Sequence, residues 1–314
     1  ATLDTEKFSR AFHHAPIIEV SGRMYDVLLH YQPLDRDLEE KGELTYIDAA
    51  VRTVDDLMTH QSSGDVLVFM PTEQDIRECC DLLKGRIYDN ALILPLFARL
   101  AWTDQKKVFL PASARKIIVA TNIAETSLTI PGIRFVVDTG LARSLRYNPG
   151  SGTTSLPILP ISKSSAEQRK GRCGRVSNGS CYRLYSEADF QTRDDFNTPE
   201  ILRSNLSGII LKMLELNLPD IHTFPFIDRP SGKSIKSGFD LLLELGAISK
   251  IKKSLHGFSH YGLTDKGRFM AKLPIDPRVA RMIIEGRREK CLREVIVIAS
   301  ALSIQDPRDR PAEK

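Results

Sequence analysis

The 314-residue chain is 42% hydrophobic and 27% charged, and its 44 Lys and Arg against 40 Asp and Glu leave a formal net charge of +4. That much apolar material excludes wholesale disorder, and no run reaches the roughly 18 uncharged apolar residues a membrane helix needs. The five cysteines (Cys79, Cys80, Cys173, Cys181, Cys291) lack C-x-x-C spacing, which argues against a zinc ribbon or a disulfide scaffold and for a reducing, cytoplasmic setting.

The length suggests two or three domains, and the slight basic excess hints at a polyanionic partner. The sequence starts at Ala1 with no signal-peptide pattern and reads as a piece of a longer chain. From residue 64 onward, short apolar runs alternate with helix-like stretches. Val66 to Met70 reads as a buried strand. Thr72 follows as an N-cap with Asp75, then Ile76, Cys79, Cys80 and Leu83 at helical spacing. Leu92 to Leu96, a helix-like stretch through Gln105 and Phe109, Lys116 to Ala120, Arg134 to Asp138 and Cys181 to Tyr185 continue the series. Uninterrupted apolar strands separated by helices predict a mostly parallel sheet covered on both faces, an α/β domain ending near residue 190. Beyond Pro199 the pattern predicts helices over 205–216 and 234–245, short strands at 247–248 and 261–264, and two further helices within 277–304.

Charge is unevenly spread. Residues 35–56 hold eight acids and three bases and read as a solvated loop and helix face, whereas residues 163–183 hold six bases and one acid. In that basic stretch lies Gln168-Arg169-Lys170-Gly171-Arg172-Cys173-Gly174-Arg175. A helix over 166–173 capped by Ser164 or Ser165 would project Arg172 and Arg175 from one side. Arginine stays charged and binds phosphate oxygens with two parallel donors, and glycines between the arginines let a backbone approach closely. Such a pair suits charge developing on a transferred γ-phosphoryl group. A second string, Ala120-Thr121-Asn122-Ile123-Ala124-Glu125-Thr126-Ser127-Leu128-Thr129-Ile130, follows directly on the strand 116–120. That is the carboxyl end of a strand, where α/β sheets place ligands.

These strings resemble motifs V and VI of the DEAH-box (DEAH/RHA) ATP-dependent RNA helicases: Ala120 to Ile130 is similar to motif V and Gln168 to Arg175 to motif VI. Ala1 to Asp4 resembles motif III without its serine. Glu200 to Leu206 resembles the entry to the family's winged helix, and Leu263 to Arg268 with Leu273 to Pro277 its exit into the ratchet domain. Ala301 to Arg308 is most similar to the bacterial HrpA-type branch. The likeness covers essentially the whole chain, with the motifs in order.

The resemblance implies a RecA-like parallel-sheet lobe over residues 1–190 with a β-hairpin insert at about 145–160, a winged-helix domain over 191–276, and the first helices of a ratchet bundle over 277–314. It implies an enzyme that couples ATP hydrolysis to translocation on RNA and its unwinding. This chain would be a fragment without the first RecA-like lobe, and so without ATPase of its own. No G-x-x-x-x-G-K-[ST] and no Asp-Glu-Ala-His occurs in it. The missing lobe would cradle the phosphates and hold Mg²⁺, which would arrive with ATP, and no metal site of this chain's own is expected. By the same resemblance Gln168, Arg172 and Arg175 contact the γ-phosphate and attacking water, with Arg175 as arginine finger. Phe109 stacks on adenine, and Ser127 and Thr129 face the nucleotide. Thr121, Asn122 and Arg143 hold the RNA backbone.

Two positions depart from the family pattern. Pro131 stands where many relatives carry an aspartate near the ribose, which leaves nucleotide selectivity open. Pro71-Thr72 stands where a small hydroxyl residue and a glycine are usual, which makes Thr72 a helix cap. The expected partners are single-stranded or duplex RNA, the first lobe, and a ribosome or ribonucleoprotein, with no membrane. The alternatives are a non-enzymatic nucleic-acid-binding winged-helix module, and a helicase whose track is DNA or a DNA–RNA hybrid.

Overall fold

The structure, a computed structural model, describes residues 4–19, 25–35, 37–38, 41–126, 129–253 and 259–304. It divides into two compact units. One comprises residues 1–144 and 156–197, and the other residues 145–155 and 198–314.

The first unit is built on a six-stranded sheet of β1 (Val27–Tyr31), β2 (Asp65–Phe69), β3 (Ala91–Leu96), β4 (Arg115–Ala120), β5 (Ile133–Asp138) and β10 (Gly179–Arg183). All pairings are parallel, in the order β1-β10-β5-β2-β4-β3. The α/β expectation therefore holds. Alternation along each strand fills two cores. Val66, Val68, Ile117, Val119, Phe135 and Val137 face one side, and Leu67, Phe69, Ile118, Ala120 and Val136 the other.

Helices α2 (Tyr46–His60) and α3 (Glu73–Lys84) cover the first side. The acidic stretch thus includes a core helix. Ile47, Ala50, Val51, Val54 and Leu57 are buried at helical spacing, and Thr45 and Asp48 form a reciprocal capping box. Thr72 caps α3 by accepting from the Asp75 N–H at 3.1 Å, as its position before the apolar run predicts. Helix α1 (Thr5–Ala11) precedes the sheet. The second side is packed by Val108, which follows α4 (Trp102–Lys107), by Ala124 of α5 (Ile123–Thr126), and by Ile130 and Cys173. The chemistry-bearing strings are therefore part of the covering of this face.

Strands β6 (Leu141–Arg143) and β9 (Ile158–Pro160) form an antiparallel pair in the first unit. The insert expected at 145–160 as part of the lobe is divided. Its tip, β7 (Arg146–Asn148) with β8 (Thr153–Ser155), groups with the second unit, where buried Tyr147 hydrogen-bonds the Ser237 hydroxyl at 2.9 Å. Helices α6 (Lys163–Lys170) and α7 (Glu187–Thr192) complete the first unit. It runs to Asn197 rather than 190, because residues 193–197 are hydrogen-bonded to Gly140, Ile161 and the start of α6.

In β10, fully buried Arg183 donates to Glu167 at 2.8 Å and to the Tyr31 hydroxyl at 3.0 Å, and it lies over the Phe190 ring at 4.3 Å. Burial alone would raise the Glu167 pKa, but hydrogen bonds from Lys170 and Arg183 hold it below its ordinary value. A carboxylate so depressed contributes stability above its unfolded pKa of about 4.3 and loses it as pH falls through the lower folded value. Glu167→Gln is expected to lower the melting temperature at pH 7 and to match the unmodified protein below about pH 3. An equal deficit at both pH values would show that the carboxylate charge contributes nothing.

The second unit contains α8 (Glu200–Arg203), α9 (Ser207–Glu215), α10 (Gly232–Glu244), the antiparallel pair β11 (Ile248–Lys253) and β12 (Ser259–Leu263), α11 (Asp265–Ala271), α12 (Pro277–Arg288) and α13 (Leu292–Ser303). Leu206, Ile210, Ile235, Leu242, Ile248, Met270 and Ala280 share one core, so packing alone draws no boundary at 276. Among the described residues no helix is long and apolar enough to cross a membrane.

Candidate nucleotide and nucleic-acid site

The carboxyl end of β4 leads straight into the first chemical string. The Thr121 N–H donates to the Leu96 carbonyl at 3.2 Å, which extends the ladder by one residue before the chain turns. The Thr121 and Asn122 carbonyls then accept from Ala124 and Glu125, winding the single turn α5. This leaves Thr121 half-buried and Asn122 exposed at the sheet's rim. Thr129 is exposed nearby in sequence, whereas Ser127 lies outside the described residues.

Helix α6 begins earlier than its sequence suggests. Ser162, in an extended conformation, accepts from the Ser165 N–H, and the helix closes at Gly171. The expected helix over 166–173 is therefore shifted, and Arg172 and Arg175 lie in the loop beyond it rather than on one helix face. Gly174 explains the loop's path. It accepts from the Tyr25 N–H at 2.9 Å, and a Cβ there would sit 2.8 Å from the Tyr25 carbonyl oxygen. Gln168 remains on α6, half-buried.

The fold nevertheless joins the two strings. A guanidinium nitrogen of buried Arg172 donates to the Glu125 carbonyl, and Arg175, exposed, donates to the Thr129 hydroxyl at 2.5 Å. Burial, and then repulsion from Arg175, lower the Arg172 pKa to about 10, which leaves it cationic at neutral pH. Two cations thus stand side by side next to the loop that carries Thr121 and Asn122, an arrangement suited to an anion of several charges.

What sequence reasoning missed is the ionic joint beneath them. Arg169 is fully buried. Its guanidinium meets Glu125 at 3.1 Å and Asp138 at 2.7 Å, donates to the Leu141 carbonyl at 3.2 Å, and covers the Phe69 ring at 4.7 Å. Burial opposes its charge, but Asp138 and Glu125 more than offset this and raise its pKa. Asp138 also accepts from the Gly140 N–H and from the Tyr185 hydroxyl. Glu125 accepts from the Ser165 hydroxyl at 2.7 Å. The identities of these residues lie inside the strings already singled out or at the end of a strand. Their burial carries no sequence signal.

Phe109 follows α4 in a turn and is half-buried against the second core. Lys116, only 4% exposed, donates to the carbonyls of Val108 and Leu110, each at 3.0 Å, and so clamps the residues on either side of Phe109. Arg143 is exposed on β6, two positions beyond the Leu141 carbonyl that Arg169 engages. Cys173 is buried in the same core, and burial pushes its thiol up to about 12. Its structural role is packing in that core. Among the described residues no group of three or more His, Cys, Asp or Glu side chains is placed to hold a metal ion.

Residues 49–177 match the helicase conserved C-terminal domain, and residues 276–314 match the ratchet-like helicase-associated domain (HA2). The whole chain is similar to the ATP-dependent RNA helicase HrpA of Escherichia coli, at 50% identity, and spans 24% of its length. It is 36% identical to human ATP-dependent RNA helicase DHX33 and spans 44% of that protein. The crystal structure of the Escherichia coli DEAH/RHA helicase HrpB superposes on 99% of the chain with a TM-score of 0.84 at 31% identity, the match taking in 39% of HrpB.

Proposed function

Because this chain belongs to the DEAH/RHA helicases, we propose that it forms the C-terminal part of an ATP-dependent RNA helicase, supplying half of an ATP site and part of an RNA track. The observation that carries this reading is the seating of Arg172 and Arg175 on Glu125 and Thr129, which places two cations against the loop that presents Thr121 and Asn122. ATP is the substrate and lies between this lobe and a first lobe. Arg175 acts as the arginine finger and Arg172 binds γ-phosphate oxygens, while Gln168 orients the attacking water. As charge builds on the transferred phosphoryl group, the buried Arg169 keeps Glu125 and Asp138 from repelling that charge. Phe109, clamped by Lys116, offers its free face to adenine, and Ser127 and Thr129 border the nucleotide.

RNA is held at its backbone by Thr121, Asn122 and Arg143, contacts that carry little base information. Residues 198–276 act as a winged-helix domain, residues 277–314 open a ratchet bundle, and the hairpin tip 146–155 parts strands. Mg²⁺ accompanies the triphosphate, held by acidic residues of the first lobe. The setting is cytoplasmic, with ribonucleoprotein as the natural substrate. The test is unwinding of matched RNA, DNA and hybrid duplexes by the polypeptide that joins this chain to a first lobe. ATP-dependent unwinding of RNA is the expected result. Nucleic-acid binding without ATP turnover would instead favour a non-enzymatic binding module, and equal unwinding of DNA would move the track.

A further inference from the structure

Helix α6 is attached at its N-terminal end to the last stretch of the first unit. The N–H groups of Lys163 and Ser164, which a helix start leaves without intrahelical partners, donate to the carbonyls of Asp194 and Asp195 at 2.8 and 2.9 Å. The Lys163 ammonium pairs with Asp195 at 2.9 Å. Arg193 lies 3.8 Å above the Tyr185 ring and donates to the Gly140 carbonyl, beside Asp138. Asn197 Nδ2 then donates to the Ser165 hydroxyl at 2.9 Å, and that hydroxyl donates to Glu125 at 2.7 Å. Glu125 holds Arg169 through its carboxylate and Arg172 through its carbonyl.

A continuous run of hydrogen bonds therefore leads from Asn197, the final residue of the first unit, to the guanidinium beside the proposed phosphate position and to the turn that follows Thr121 and Asn122. We propose that Asn197 and Ser165 are positioning residues that hold Glu125, and through it Arg172 and the Thr121–Asn122 loop, in one arrangement, and so couple RNA occupancy to ATP hydrolysis. This inference rests on the helicase reading above.

The geometry gives the proposal its direction. The Ser165 hydroxyl has one proton, which it gives to Glu125, while its oxygen accepts from Asn197 Nδ2, so the two bonds fix the hydroxyl from both sides. Neither residue touches the reacting atoms, and Arg172 keeps its own hydrogen bond to the Glu125 carbonyl when they are lost, so their loss removes the link between the two polyanion sites and no phosphate ligand.

The test uses the polypeptide with both lobes. Asn197→Asp keeps the size but turns a donor into an acceptor that competes for the Ser165 proton, and Ser165→Ala removes the middle of the run. Each variant is expected to lower RNA-stimulated kcat about tenfold, within the range of ordinary coupling energies, with unstimulated turnover and the KM for ATP unchanged. Ser165→Thr, which keeps the hydroxyl, is expected to retain stimulation. Full stimulation in both disruptive variants would overturn the proposal. So would an equal loss of stimulated and unstimulated turnover, which is what a merely structural role produces. If the unmodified polypeptide shows no RNA-stimulated ATPase, the helicase reading itself fails and the proposal falls with it.

Discussion

Replacing Arg169 by methionine is expected to destabilise the α/β unit by about 3–5 kcal/mol, the usual cost of removing one partner from a buried ion pair. Methionine fills much of the same volume, so the loss is electrostatic rather than a cavity effect. Asp138 is fully buried and Glu125 is 7% exposed, and both would remain without their cation. Two carboxylates in a poor dielectric without their cation are unfavourable. For a domain of this size the loss corresponds to a drop in melting temperature of roughly 10 °C. Hydrogen exchange at β2, β4 and β5 reads the same loss separately from the second unit. Arg169→Lys restores the charge but not the planar set of donors that reaches Glu125, Asp138 and Leu141 together, so it should recover only part of the deficit. A methionine variant as stable as the unmodified protein would show that the ionic joint contributes no net stability.

Arg175→Ala, in the polypeptide that contains both lobes, is expected to lower kcat by about 10³-fold or more with a small change in nucleotide affinity. The reason is selective: a cation that meets charge present only in the transition state changes the rate and leaves ground-state binding alone. Among the described residues its hydrogen bond goes to the Thr129 hydroxyl, on the exposed side of the loop, so the truncation is expected to leave folding untouched. Arg172 differs. It is 8% exposed and holds the Glu125 carbonyl, so its removal would mix any effect on turnover with a structural one. Single-turnover kinetics on Arg175→Ala decide the assignment. Unchanged turnover would reduce Arg175 to a surface contact with Thr129.

Both effects arise in one string of eight residues, yet only part of their difference is written there. The sheet and its two covered faces followed from the apolar runs at 66–70, 92–96, 116–120 and 134–138, since an uninterrupted apolar strand must be buried on both sides. The cap at Thr72 followed from local hydrogen bonding alone. The identities of Gln168, Arg172 and Arg175, and their placement after a strand-rich stretch, were equally plain. The helix register around them was not. A run of serines from 162 to 165, broken only by Lys163, offers several possible caps, and the choice of Ser162 depends on the carbonyls of Asp194 and Asp195, some thirty residues away in sequence. Strand β1 escaped notice because it lies at the sheet's edge and is only half-buried on alternate residues. The core helix α2 was hidden by acids that occupy its outer face.

What the sequence by itself determined is the chemistry: the residue types, their order, and the class of parallel sheet that carries them. Local periodicity and donor geometry act over a few residues and are legible in one dimension. The tertiary structure alone decided which arginine is buried and which faces solvent, that Glu125 joins Ser165, Arg169 and Arg172, and that the hairpin tip 146–155 groups with the second unit. Charges separated by 31 to 44 positions in sequence become neighbours only when the sheet closes, and burial, which turns an arginine from a phosphate ligand into an internal strut, is a property of that closure.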